Sequence, residues 1–297
     1  MSKTVTTYET SGEAIANGSL KVCIQGYAGA FHEIAARHCF QGANLEIVPA
    51  HTFDQLVKMV EKGEEADIGL MAIENTLAGS LMHNYHLLKK AKLRITGEVY
   101  LRIKQNLMVL PGVKMSDLKE VHSHPIAIQQ CLDFFRQHPH IRLVETVDTA
   151  LSARNIRENN VQDVGAIAST LAASLYDMEL LAEGIETNKK NHTRFLVLEK
   201  AEKATFAPEA NKVSLCFAVD HAVGSLYKVL AVLAAYNVNL TKIQSAPIIG
   251  KPWEYQFFLD FVTEGKVGHQ QAIEAIQPLT HDLHILGIYP TGQHFDD

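Results

Sequence analysis

The polar residues able to do chemistry sit in short clusters at the ends of apolar runs. Glu74-Asn75-Thr76 follows the run Ile68 to Ile73, and Gly79 lies just beyond. Ser123-His124-Pro125 follows Glu120-Val121-His122 and is trailed by Gln130-Cys131, while Asn191-His192-Thr193-Arg194-Phe195 opens onto an apolar run ending at Leu198. In an open α/β sheet, ligands sit beyond the carboxyl ends of strands, where helix N-termini offer free N–H groups to anions. Hydroxyls and amides in such places suit a small carboxylate. Each residue also has a structural use. Thr193 is a β-branched residue preceding the strand Phe195 to Leu198, and Asn75 and Thr76 suit a turn or cap. Glu74 suits a helix N-terminus, Ser123 or His124 a cap ahead of Pro125, and Gln130 a solvated helix face.

Other chemistries lack their signatures. Fifteen histidines invite a metal, but H-E-x-x-H is missing, and His122/His124 and His138/His140 have no companion ligands at suitable spacing, so no metal is expected. Gly26-Tyr27-Ala28-Gly29 is neither a dinucleotide fingerprint nor a P-loop, and there is no G-x-S-x-G elbow. Cys23, Cys39, Cys131 and Cys216 form no C-x-x-C and read as buried free thiols.

The elements that must position these clusters follow from length and pattern. A chain of 297 residues, 47% hydrophobic, has room for about two domains. Its net charge of -6 argues against a nucleic-acid surface. No apolar run is long enough for a bilayer, and the start has no signal-peptide core, so a soluble cytoplasmic protein with a small-molecule partner is expected. Residues 1–20 read as a flexible lead-in. From Lys21 onward, apolar runs, turns and helical periods alternate, the pattern of an α/β domain. The run from Gly97 to Leu110 is too long for one ordinary strand and reads as a crossing between two lobes, with a return near 181–192. The expected domains are 21–200, with a second lobe over about 106–180 and a cleft between the lobes; a linker, 201–211; and 212–297. The last domain reads strand, helix, strand, strand, helix, strand, the ferredoxin-like βαββαβ order.

Taken together, these pieces resemble prephenate dehydratase from about Lys21 to Tyr289. The family's opening is similar to Gly26-Tyr27-Ala28-Gly29-Ala30-Phe31, its I-E-N-S/T motif to Ile73-Glu74-Asn75-Thr76, its S-H-P and Q-C signature to Ser123-His124-Pro125 and Gln130-Cys131, and its T-R-F motif to Thr193-Arg194-Phe195. The last domain resembles the ACT regulatory domain fused to these enzymes, with Gly224-Ser225-Leu226 at its G-A-L position. The resemblance implies a periplasmic-binding-protein-like catalytic domain that converts prephenate to phenylpyruvate without a cofactor, in phenylalanine biosynthesis. It implies catalytic roles for Thr193, Asn75, Gln130 and Ser123, and substrate contacts for Glu74, Thr76, Gly79, His124, Arg194 and Phe195. L-Phenylalanine is the implied effector, at Gly224, Ser225, Leu226, Gln244 and Ser245, in a homodimer or homotetramer. Twenty residues ahead of Lys21 are too few for a chorismate mutase domain. Arogenate dehydratase is the nearest alternative, and a noncatalytic amino-acid or keto-acid sensor the alternative from another class. His32 stands where Ser or Thr is common, and Asn106 where His is. Gln244-Ser245-Ala246-Pro247 stands where E-S-R-P is usual, so an acid and a base are missing together and weaker feedback is expected.

Overall fold

The computed structural model describes residues 18–205, 207–263 and 268–296, so the lead-in expected over 1–20 falls almost wholly outside the described residues. The first lobe is built from β1 (Leu20–Gln25), α1 (Phe31–Cys39), β2 (Leu45–Ala50), α2 (Phe53–Lys62), β3 (Ile68–Asn75), the short β4 (Gly79–Ser80), α3 (Met82–Lys90) and β5 (Leu93–Arg102). Helix α2 illustrates the local logic. Thr52 caps it by accepting the Gln55 N–H at 3.1 Å, Leu56, Val57, Met59 and Val60 form its buried stripe, and Gly63 ends it in the left-handed region at φ 71°. Each such side chain contributes roughly 1.5–3 kcal/mol on burial. Strand β3 is apolar on both faces because both are covered. Leu70 and Ala72 pack with Ala35 and Ala36 of α1, whereas Met71 and Ile73 pack with Leu56 of α2 and Leu88 of α3.

Beyond β5 the chain crosses to a second sheet. It runs through β6 (Asn106–Val109), β7 (Glu120–Ser123), α4 (Pro125–Gln130), α5 (Leu132–Phe135), β8 (Arg142–Glu145), α6 (Thr149–Glu158), β9 (Val164–Ala168), α7 (Thr170–Leu175) and β10 (Glu179–Ala182), in the sheet order β10-β6-β9-β7-β8. Side chains cap the helices that follow β7, β8 and β9. His124 Nδ1 accepts the Ile126 N–H at 3.3 Å, Asp148 Oδ1 the Leu151 N–H at 2.8 Å and Ser169 Oγ the Ala172 N–H at 3.0 Å. The return crossing ends in β11 (His192–Lys200), which inserts antiparallel between β3 and β5. Thr193 therefore lies inside a strand, not ahead of one.

The C-terminal part contains β12 (Lys212–Ala218), α8 (Ser225–Ala235), β13 (Asn239–Pro247), β14 (Tyr255–Val262), α9 (His269–Ile276) and β15 (His281–Tyr289), in the sheet order β13-β14-β12-β15. The expected βαββαβ order is present. Val229 and Leu233 of α8 and Ile273 and Ile276 of α9 cover one face of this sheet. The other face lies on the first lobe, where Cys216, Phe258 and Leu286 pack with Tyr85 and Leu88 of α3. At one point, Gly287 opposite Ile95, β15 joins β5 and makes the two sheets continuous. A Cβ at Gly287 would collide with the Ile95 carbonyl, and one at Gly292 with the Glu98 carbonyl, so both approaches require glycine. A further strand that the sequence did not suggest, β16 (Gln293–Phe295), runs parallel to β5 over Val99 to Leu101. The four cysteines are free and buried. Among the described residues no helix is long and apolar enough to cross a membrane.

Candidate active site

The two crossings run side by side and are tied together. The Ile103 N–H donates to the Asn191 carbonyl at 2.7 Å and the Ile185 N–H to the Gln105 carbonyl at 2.7 Å. The buried Glu186 carboxylate accepts the Gln105 N–H at 2.9 Å and Arg102 Nη2 at 3.2 Å. Beside this hinge, register pairs Asn75 at the end of β3 with Thr193 on β11.

From that pair a line of neutral side chains runs between the lobes. Asn75 Nδ2 lies 3.0 Å from Thr193 Oγ1, to which it donates, and 2.8 Å from Asn191 Oδ1. Asn191 Nδ2 donates to Gln130 Oε1 at 2.9 Å, which also accepts Gln105 Nε2 at 3.3 Å. Gln105 Oε1 is buried with no partner among the described residues. Asn75 Oδ1 accepts the Leu77 and Ala78 N–H groups at 3.0 and 2.9 Å, which fixes the turn into β4. Thr76 Oγ1 accepts the His192 N–H at 2.9 Å and donates to the Lys190 carbonyl at 2.8 Å, fastening that turn to the crossing. Thr193 accepts from Asn75, which leaves the hydroxyl proton for a ligand.

A pocket and a direct contact between the lobes lie beside this line. At the Gln130 end, a pocket of about 380 Å³ opens between Leu77 and Ala78 of the first lobe, Ile126 and Arg136 of the second, and Asn188 of the crossing loop. Elsewhere the lobes touch directly through the loop ahead of α1. Ser169 Oγ donates to the Gly29 carbonyl at 2.5 Å and Tyr176 Oη to the Ala28 carbonyl at 2.7 Å. A Cβ on Gly29 would lie 2.8 Å from Ala172 Cα, and one on Gly26 2.8 Å from Asp148 Oδ2. Burial raises the Asp148 carboxyl above its ordinary value, against the pull of the α6 N–H groups and His124. His124 is lowered by burial, which the nearby Asp148 and Glu145 oppose. His32 packs edge-on against Phe195, centroids 4.9 Å apart, and burial pushes it down to about 4, so it is neutral at ordinary pH.

The structure gathers Asn75, Thr76, Gln130 and Thr193 around the hinge. Gly79, at φ 80°, closes the β3–β4 turn as the register partner of Asn75. Other expectations need correction. Ser123 is fully buried and donates its hydroxyl to the Ile167 carbonyl at 2.7 Å, so it ties β7 to β9 and does not face the cleft. Phe195 is a core residue between α1 and the sheet. Glu74 and Arg194 point to the opposite face from Asn75 and Thr193, toward the C-terminal sheet. Glu74 Oε2 pairs with Lys242 Nζ at 2.9 Å. Arg194 is buried with Nε 2.7 Å from Glu98 Oε2, Nη1 2.5 Å from Asp260 Oδ2 and Nη2 2.9 Å from Tyr289 Oη, so its guanidinium is engaged at this junction and not in the cleft. Asn106 is buried, donating to the Ala168 carbonyl at 3.3 Å and accepting the Gly184 N–H at 3.1 Å. Sequence reasoning assigned no role to Asn191 or Gln105. Asn191 sits two residues before Thr193, so strand alternation was the available signal.

Of the expected effector residues, Gly224 adopts φ 79° ahead of Ser225 and Leu226 in the first turn of α8. Gln244 Oε1 accepts Ser80 Oγ of the first lobe at 3.3 Å, and Ser245 is exposed beside it on β13.

This is the architecture of a two-lobed α/β enzyme whose site is made of hydroxyls and amides at the crossing between lobes. Residues 22–203 match the prephenate dehydratase family. The chain is 36% identical over 305 residues to arogenate dehydratase 2 of Petunia hybrida, covering 97% of this chain and 76% of the relative. A solved structure described as GqqA, a novel type of quorum-quenching acylase, superposes with a TM-score of 0.81 at 31% identity, over 91% of this chain and 98% of that one. Prephenate dehydratase from Arthrobacter aurescens in complex with L-Phe superposes with a TM-score of 0.81 at 26% identity, over 91% and 90%. The chain belongs to the prephenate dehydratase family, and is thus a lyase.

Proposed function

We propose that the chain converts prephenate to phenylpyruvate, with Thr193 as the group that assists departure of the ring hydroxyl. In this reaction the ring carboxylate leaves as carbon dioxide, its bonding electrons complete the aromatic ring, and the C–O bond to the hydroxyl breaks. One proton turns the departing hydroxide into water. Aromatisation supplies the driving force, so the protein must mainly orient the substrate and assist the leaving group. The observation that carries the reading is the Thr193 hydroxyl, held as an acceptor by Asn75 and so left with its proton to donate. A threonine is a weak acid, so it acts through placed hydrogen bonding, with the proton replenished from solvent. Asn75, Asn191 and Gln130 link both lobes to this point and favour a fixed geometry. Next to Thr193 Oγ1 stands an amide, with no imidazole or carboxylate hydrogen-bonded to it among the described residues, which favours dehydration over acyl transfer by this hydroxyl.

Arogenate is the second substrate reading, favoured by the likeness to a plant arogenate dehydratase. The C-terminal βαββαβ unit is read as an ACT regulatory domain over 212–297, joined by the linker 201–211 to a catalytic domain over 21–200. It binds L-phenylalanine at Gly224, Ser225, Leu226, Gln244 and Ser245, a reading supported by the related structure that contains L-Phe. Exposed Val223 and Tyr227 near α8 and Ile243 on the edge strand β13 support pairing of two copies.

The test is phenylpyruvate formation from prephenate beside phenylalanine formation from arogenate, each with wild type and folded Thr193→Ala. Prephenate turnover that collapses in the variant is expected. Preference for arogenate moves the assignment to the sister activity, and no turnover of either favours the sensor.

A further inference from the structure

The residues one step along from the site form a single row across four strands, and the C-terminal unit grips every member of it. Register places Ser80 of β4, Glu74 of β3, Arg194 of β11 and Tyr100 of β5 side by side. The adjoining row is Gly79, Asn75, Thr193 and Leu101, which carries the site. Lys242 of β13 places its ammonium 2.9 Å from Glu74 Oε2, 2.8 Å from Ser80 Oγ and 5.5 Å from the centre of the Tyr85 ring. Asp260 and Tyr289 hold Arg194, and Lys212 Nζ donates to Tyr100 Oη at 2.9 Å. The two units thus exchange cations, Lys242 entering the catalytic part and Arg194 the C-terminal part. Lys242 lands on the backbone neighbours of Asn75 and Gly79, and Arg194 is itself the backbone neighbour of Thr193.

We propose that Lys242 and Arg194 are positioning residues, through which the C-terminal unit sets the placement of Asn75 and Thr193. The proposal rests on the reading of Thr193 and Asn75 as the site. Lys242 clamps the first pair of the β3–β4 hairpin, Glu74 with Ser80, and the next pair is Asn75 with Gly79. Releasing the clamp loosens the turn in which Asn75 Oδ1 accepts the Leu77 and Ala78 N–H groups. Substrate contacts themselves are untouched, so the loss falls on turnover and not on binding.

The experiment uses full-length Lys242→Met, which keeps an unbranched chain in the same channel, and Glu74→Gln, which removes the charge from a half-buried partner and so stays folded if the first variant does not. Expected is a kcat lower by about tenfold with KM within about twofold of wild type. Hydrogen exchange of Leu77 and Ala78, within the segment 76–80, should quicken by about tenfold as well, since those two amides lose their fixed acceptor. A folded variant with unchanged kcat and unchanged exchange in 76–80 overturns the proposal. If wild type turns over neither prephenate nor arogenate, the function reading fails, and the exchange of Leu77 and Ala78 still decides the coupling.

Discussion

On the cleft side of the β3–β11 pair the polar groups are a hydroxyl and amides, whereas one residue along, on the other side, they are carboxylates, a guanidinium and ammonium groups. Thr193, Asn75, Asn191 and Gln130 satisfy one another with neutral hydrogen bonds. Arg194, Lys212, Glu98 and Asp260 form a buried, charge-balanced cluster. The difference follows from what each side must do. A substrate with two carboxylates brings its own charge, and a lining of amides can donate or accept without a resident counter-ion to displace. At the junction the charges are buried and saturated by each other, so each depends on the rest.

The largest expected effect is on the charged side. Replacing Arg194 by Met leaves Asp260 buried without its cation and should cost about 3–5 kcal/mol of stability, read by urea unfolding; a loss below about 1 kcal/mol would mean that the junction is no more than a surface contact. On the neutral side the order reverses at Thr193, with activity suffering and stability hardly changing. Thr193→Val keeps the branched side chain suited to β11 but removes the hydroxyl, and turnover should fall by about 10²-fold or more with little change in unfolding midpoint. Asn191→Ala leaves Asn75 Nδ2 and Gln130 Oε1 each short of a partner, for a loss of about 1–3 kcal/mol. Substrate affinity should weaken with it, because this amide links the lobes.

Two carboxylates sharpen the comparison through pH. Burial pushes the Asp260 carboxyl up, but Arg194, the Ser214 hydrogen bond and Lys212 together outweigh it and leave the group below its ordinary value. Its folded-state value is depressed, so its stabilisation is present above the ordinary carboxylate range and lost as pH falls through the depressed value. The advantage of wild type over Asp260→Asn should shrink on acidification. Asp148, near the lobe contact, is raised by burial, so its contribution is present at low pH and lost as pH rises past the ordinary range. Asp148→Asn keeps an acceptor for the Leu151 N–H and should therefore be more stable than wild type at neutral pH, by under about 1 kcal/mol, with the gap closing in acid.

Much of this arrangement is legible along the chain. Strand-to-helix junctions announce themselves through caps and Pro125, and the run from Gly97 to Leu110 betrays the crossing by its length alone. The site was readable as a set of motifs but not as a set of directions. Neighbouring strand residues face opposite sides, so Thr193 and Arg194, or Asn75 and Glu74, cannot both line one cleft. Placing Thr193 ahead of the strand hid that constraint. Which of each pair meets the cleft depends on the C-terminal sheet packing against α3, a contact between residues more than a hundred positions apart that no local period encodes. Ser123 fails differently, since a buried serine satisfied by the Ile167 carbonyl and an exposed catalytic serine look alike in sequence.

Strand β16 returns to β5 after the βαββαβ unit is complete, so the catalytic sheet holds that unit on both flanks, by β11 before it and β16 after it. It is therefore built in the manner of an inserted domain, not a bead on a tether. A protease that nicks the 201–211 connection should yield two fragments that travel together through gel filtration, and heating should melt both parts in one transition.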